Sequence, residues 1–215
     1  MELAEIWPLH GLRLRSADLE LRPVTEADLP RLCAVFPADV DLDPAATRYA
    51  ALDGASNRRV ILAQGYWRQM GLWSPHDWAL PFAVRHRGEL IGTQTLEGPD
   101  WTSERTVDSA SWLVPSARGK GLGKQMRAAV LELAFGHLGA RLAITSAVVD
   151  NASSLGVSRA LGYVDTHQSI LSHSSETLQH LRLEAGSWAA TGLGASVSAE
   201  GVEPTLPLFG LGPAR

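Results

Sequence analysis

A single α/β domain built on a mixed sheet is the fold class this sequence predicts, and three observations predict it. Apolar residues alternate in some stretches and recur at helix spacing in others. The two kinds of stretch interleave, in the order strand, helix, helix, strand, strand, strand, glycine turn, helix, strand, helix, strand, strand. And 215 residues suffice for one core with, at most, an appendage.

Leu19, Leu21 and Pro23 alternate as a strand face, after which Thr25 caps a helix carrying Asp28 in its first turn. Leu29, Leu32, Val35 and Phe36 follow at helix spacing, and residues 37–53 read as loop with weak helix. Residues 57–73 give a second helix, through Val60, Ile61, Gln64, Trp67 and Met70, interrupted by Gly65. Two strands then flank Arg87-Gly88-Glu89, a hairpin signal. Residues 105–115 form a further strand, stopped by Pro115. Beyond it, Leu122, Met126, Val130 and Leu133 share one helix face, with Lys124, Arg127 and Glu132 largely elsewhere. Residues 141–149 read as a buried strand, and the segment opening at Asn151 as a short helix closed by Gly162. Two more strands follow, in YVDTHQSIL and TLQHLRLEA. From residue 191 the composition turns to Gly, Ala, Ser and Pro, dividing the chain into a domain over 1–190 and a tail over 191–215. Within the tail, Leu206, Leu208, Phe209 and Leu211 are too apolar for a free linker, and docking is expected.

Composition removes several classes of function. A net charge of −4 leaves no broad basic field for nucleic acid. The one cysteine, Cys33, sits in an apolar run and reads as core, and the histidines show no metal-ligand spacing, so no metal is expected. Charges near the start and the lack of a long apolar run argue against a leader or a membrane span, and a cytoplasmic protein is expected.

The chemistry concentrates in Arg118-Gly119-Lys120-Gly121-Leu122-Gly123-Lys124, a glycine turn between a strand and a helix. Free N–H groups of a first helical turn and the helix dipole together attract an anion. The turn is not a P-loop, which would need glycine where Lys124 stands, with a Lys-Ser/Thr pair after it. It is not the dinucleotide fingerprint, whose third glycine is missing at the same position.

The segment resembles the Arg/Gln-x-x-Gly-x-Gly pyrophosphate loop of the GNAT superfamily of acyl-CoA-dependent N-acyltransferases. The preceding DSASWLVPSARGKGLG, with Asp108 ten residues before Arg118, is similar to the ribosomal-protein N-terminal acetyltransferase group. So are the opening LELRPVTEADLPRL and the later NASSLGVSRALGY. WSPHDWALPFAV, VDSASWL and PLFG resemble an actinobacterial subgroup described as succinyltransferases. The likeness spans roughly residues 11–190. It implies a mostly antiparallel twisted sheet, a splayed central parallel strand pair and helices on both faces.

It also implies roles. The amides around Gly119, Gly121, Leu122, Gly123 and Lys124 would cradle the CoA pyrophosphate, with Arg118 and Lys120 adding charge. Pantetheine would pair with the splayed strand at Leu113 and Val114, the N–H of Val114 lying near the thioester carbonyl. Asn151 would touch the pantetheine arm, Arg159 would add to the cofactor site, and Ser154 would protonate the leaving thiolate. Asp108 would serve as base or hold a cationic amine; its side chain is shorter than the glutamate frequent there, and His76, His86 and His173 are alternatives. The co-substrate is acetyl-CoA or succinyl-CoA, and a succinyl carboxylate would need a cation from Arg85, Arg87, His76 or His86. The acceptor is a small-molecule or protein amine. Competing readings are a non-catalytic acyl-CoA-binding module and a binder of some other phosphate ligand. A homodimer is expected, supported by the docked tail.

Overall fold

The computed structural model describes residues 1–43, 45–171 and 174–212, and its frame is a nine-stranded sheet in the order β7-β8-β6-β5-β4-β3-β2-β1-β9. The chain opens with a helical turn, α1 (Leu3–Ile6), then β1 (Arg13–Ser16) and β2 (Leu19–Pro23), joined at Ala17-Asp18. Thr25 and Asp28 form a reciprocal capping box that starts a 3-10 turn running into α2 (Leu29–Val35). Helix α3 (Gly54–Gly71) is capped by Asp53, whose carboxylate accepts from the Ser56 amide. β3 (Trp78–His86) and β4 (Glu89–Gly98) form the expected hairpin. Its turn residues Arg87 and Gly88 both hold positive φ, the geometry that matches strand twist.

After the turn α4 (Trp101–Glu104), β5 (Thr106–Leu113) lies antiparallel to β4. Then come α5 (Leu122–Glu132), β6 (Leu142–Val148), α6 (Ala152–Ala160), β7 (Val164–Ile170), β8 (Thr177–Glu184), α7 (Ala185–Thr191) and β9 (Val197–Glu200). β5 and β6 are parallel and pair only at Thr106↔Leu142 and Val107↔Ala143. Every other pairing is antiparallel. This is the mixed sheet with a splayed central parallel pair, and α2 and α3 lie over it on the face opposite α5. Buried side chains of α5 (Leu122, Met126, Val130) join those of β1 to β6 in the main core.

The N-terminal and C-terminal segments carry structure that local patterns do not announce. β1 supplies fully buried Leu14, and β9 pairs along its whole length with β1, so residues 197–200 close the sheet's edge. The apolar tail cluster docks within its own chain. Phe209 is fully buried against Trp73 and Trp78, and the Trp101 indole donates to the Phe209 carbonyl. The tryptophan-rich segment and PLFG, far apart in sequence, are thus two halves of one aromatic cluster, and a second chain is not needed to bury the tail. Phe209→Ala is expected to lower unfolding free energy by about 3–5 kcal/mol in a denaturant titration. A loss under about 1 kcal/mol would mean that the tail merely rests on the core.

Candidate active site

Two strands that part company leave backbone groups with no sheet partner. The Val114 amide donates to the Ile91 carbonyl at 2.8 Å. Antiparallel alternation then turns the N–H and C=O of Ala110 and Trp112 toward β4, and those of Ser109, Ser111 and Leu113 toward the gap beside β6. This corrects the expectation for Val114, whose amide belongs to the ladder; the amide facing the gap there is that of Leu113. On the other side, the Val149 amide bonds the Thr177 carbonyl, which by the same alternation leaves Ile144 and Ser146 facing the gap. A V-shaped slot lined by main-chain donors and acceptors results, open toward the C-terminal ends of both strands.

The glycine turn stands at the mouth of this slot. Gly119 and Gly121 have φ of 72° and 77°, and a Cβ built on either meets nothing within 4 Å. Among the described residues no backbone bond engages the Gly119, Lys120 or Gly121 amide, and those of Leu122 and Gly123 lie in the first turn of α5. A Cβ on Gly123 would sit 3.7 Å from Val157 of α6 and 3.9 Å from Leu113, so the helix start is wedged between the end of β5 and α6. Lys120 and Lys124 flank the turn. Arg118 points back: its Nε donates to the Leu113 carbonyl at 2.9 Å and its guanidinium pairs with Asp39. Arg118 therefore ties residues 36–43 to the strand end, with its charge already partnered.

Asn151 caps α6, its Oδ1 accepting from the Ser154 amide at 3.0 Å, which puts Ser154 in the helix's first turn near the slot. The Ser154 carbonyl accepts from the Ser158 hydroxyl at 3.1 Å, while its own hydroxyl makes no bond among the described residues. Arg159, at the exposed far end of α6, is engaged by Asp165 at 2.7 Å.

Asp108 lies directly opposite Glu97 in the β4–β5 register, so the two carboxylates share one face. Neither has a cationic partner among the described salt bridges. Burial pushes the Asp108 carboxyl up, and the Ser109 amide, Arg127 and His180 draw it partly back. Glu97 is pushed up by burial, then by Asp108 and Asp77. Glu97 floors a cavity of about 540 Å³ between the sheet and the pair α2–α3. Thr95, Ala110 and Trp112 extend the floor, and Leu32, Ile61 and Tyr66 are among the walls. Trp112 is half-buried here, edge-on to Phe36 at 5.2 Å.

Other expected groups lie elsewhere. His76 is bonded to Thr102 at 2.6 Å. His86 sits at the hairpin end of β3, while Ala79, the β3 partner of Glu97, is near the other end; seven residues of strand separate them by about 23 Å. His173 lies outside the described residues. Cys33 is half-buried, with burial raising its thiol, which leaves it a poor nucleophile. No described group of His, Cys, Asp and Glu could hold a metal. No described helix is long and apolar enough to cross a membrane.

Three groups at the site were missed from sequence. Glu97 has a local signal, alternation with Thr93 and Thr95, but its meeting with Asp108 depends on register. His180, stacked on His167 at 4.3 Å, comes near Asp108 only through the order β8-β6-β5. Arg127, placed on the outer side of α5 by helical spacing, is 5% exposed. It donates to Ser158 Oγ at 2.7 Å, with α6 covering that side of the helix.

A family model described as an acetyltransferase (GNAT) domain matches residues 18–164. Among solved structures, Mycobacterium smegmatis RimJ in complex with CoA-disulfide superposes with a TM-score of 0.68 at 17% identity, over 86% of this chain and 96% of that one. Spermidine N-acetyltransferase from Vibrio cholerae, in complex with CoA and spermine, gives 0.60 at 14%, over 80% and 99%.

Proposed function

Because the chain belongs to the GNAT acetyltransferase family, we propose that it moves an acetyl group from acetyl-CoA to a primary amine by direct attack within a ternary complex. The observation that carries this reading is the slot between β5 and β6, bracketed by the unpaired amides of the glycine turn on one side and Asn151–Ser154 on the other. Pyrophosphate sits on the amides of residues 119–123, with Lys120 and Lys124 alongside. Pantetheine enters the slot as an added strand, using the backbone of Ser111 and the amide of Leu113, whose carbonyl already accepts from Arg118.

The amine arrives from the cavity. Its ammonium is held between Glu97 and Asp108, and Asp108 takes its proton, directly or through water. The freed nitrogen attacks the thioester carbon, the oxyanion accepts from a slot-facing amide, and collapse breaks the C–S bond. The attacking nitrogen gives up its second proton as the amide forms, and the thiolate takes it up through the Ser154 hydroxyl. Two unpaired, half-buried carboxylates favour a catalyst over a mere acyl-CoA binder, since a binder has no use for them. They also favour a cationic acceptor with an apolar body, which agrees with the likeness to spermidine N-acetyltransferase. A cavity of about 540 Å³ suits a small molecule. Work on a CoA thioester is in keeping with a cytoplasmic protein.

Acetyl suits the site better than succinyl. Arg85 is held by Asp28 at 2.7 Å and Arg87 by Asp18 at 2.8 Å, both at the far end of the hairpin from Glu97. Arg68, which lines the cavity, is paired with Asp43 at 3.2 Å, so a succinyl carboxylate would meet Glu97 and Asp108 with no unpaired cation among the described lining residues to offset them. Thiol release with equal concentrations of the two donors is expected to give kcat/KM at least about tenfold higher for acetyl-CoA, as one unfavourable charge contact requires. A preference for succinyl-CoA would reverse the assignment of the donor.

A further inference from the structure

Arg127 is a buried cation that the scheme above leaves unused. It is 5% exposed and touches no carboxylate among the described salt bridges. One guanidinium nitrogen donates to Ser158 Oγ at 2.7 Å, and Nε makes no hydrogen bond among the described residues. The Tyr163 hydroxyl is also buried without a partner among the described residues. Tyr163 is joined to the same helix end, its amide donating to the Ser158 carbonyl at 3.2 Å. A solvated helix-face arginine would reach water; this one is enclosed by α5, α6 and the start of β7.

The hydrogen bonds run onward to the slot. Arg127 donates to Ser158 Oγ, and Ser158 Oγ donates to the Ser154 carbonyl at 3.1 Å. Ser154 in turn is held through its amide by Asn151. The first turn of α6 is thus fixed at both ends of one short chain of contacts, beginning in α5 just after the glycine turn. We propose that Arg127 is a positioning residue for acyl transfer: acting through Ser158 it sets Ser154 against the slot. The inference rests on the reading of Ser154 given above.

Arg127→Met, Arg127→Lys and Ser158→Ala test this relay. In Arg127→Met, kcat should fall about 10–100-fold while KM for acetyl-CoA stays within about threefold, because Ser154 acts on the leaving thiolate. Arg127→Lys keeps a donor for Ser158 Oγ and should recover part of the lost kcat, though not all of it, because an ammonium lacks the planar fork. Ser158→Ala should lower kcat several-fold, again with KM for acetyl-CoA within about threefold.

Unchanged kcat in folded Arg127→Met or in Ser158→Ala, or a KM for acetyl-CoA that rises as much as kcat falls, overturns the proposal. If Arg127→Met does not fold, Ser158→Ala decides it by the same two readouts. Failure of the underlying reading looks different. In that case Ser154→Ala leaves the rate of the otherwise unaltered protein unchanged.

Discussion

Asp108→Asn is expected to lower turnover by about 10²–10⁴-fold while leaving the KM for acetyl-CoA nearly unchanged, the usual scale for a lost general base. The substitution keeps size and shape and removes only the charge. It also predicts a change in pH dependence, and the sign is fixed. Burial raises the Asp108 carboxyl above its ordinary value. The base is ionised above that raised value and protonated below it, so the rate of the unaltered protein falls as pH drops through it. In Asp108→Asn the limb should disappear. Glu97→Gln should act on the acceptor half, raising the KM for the amine more than it lowers kcat, because Glu97 holds the ammonium and does not take the proton. An Asp108→Asn variant with normal kcat and an unaltered limb would transfer the role of base to another group.

Gly121→Val should abolish tight CoA binding, weakening the dissociation constant by about 100-fold, or about 2.7 kcal/mol. Two effects combine. Gly121 has φ of 77°, a conformation a β-branched residue occupies only with strain, and its absent Cβ points into open space in front of the free amides. Bulk placed there stands where the pyrophosphate would lie. Gly139 supplies the control: its φ is 71°, and a Cβ there also meets nothing within 4 Å, but it lies between α5 and β6, away from the turn. Gly139→Val should cost about 1–3 kcal/mol of stability through the same strain and leave CoA affinity intact. Equal loss of affinity in both variants would show that strain, not position, was at work.

What the sequence revealed and what it hid follow from the range of the interactions involved. The β3–β4 hairpin was readable because Arg87-Gly88 encodes its own turn. The start of α6 was readable because Asn151 caps it through a contact three residues long. The glycine turn could be placed because strand, turn and helix are consecutive. The membership of Glu97 in the site was not readable, since its pairing with Asp108 is a register between two strands. β1 and β9 are four residues each, too short for a periodic signal; β1 is held between β2 and β9, and β9 forms as a strand against β1. Arg127 went the other way: its residue type argued for solvent, and the covering helix α6 overrode that preference. Docking of the tail was suggested by Leu206 and Phe209, but their destination among Trp73, Trp78 and Trp101 is a matter of tertiary contact.

The measurement that bears most directly on the account pairs two readouts on the unaltered protein: free thiol released from acetyl-CoA, and the mass of the amine after reaction. Cationic amines with apolar bodies are the acceptors to offer, with carboxylate-bearing amines as the contrast. The account predicts one thiol for each acetylated amine, faster with the cationic set, and no thiol beyond the slow hydrolysis of the blank when amine is omitted. Thiol release that proceeds without an amine product, or CoA binding with no transfer to any amine, would contradict it.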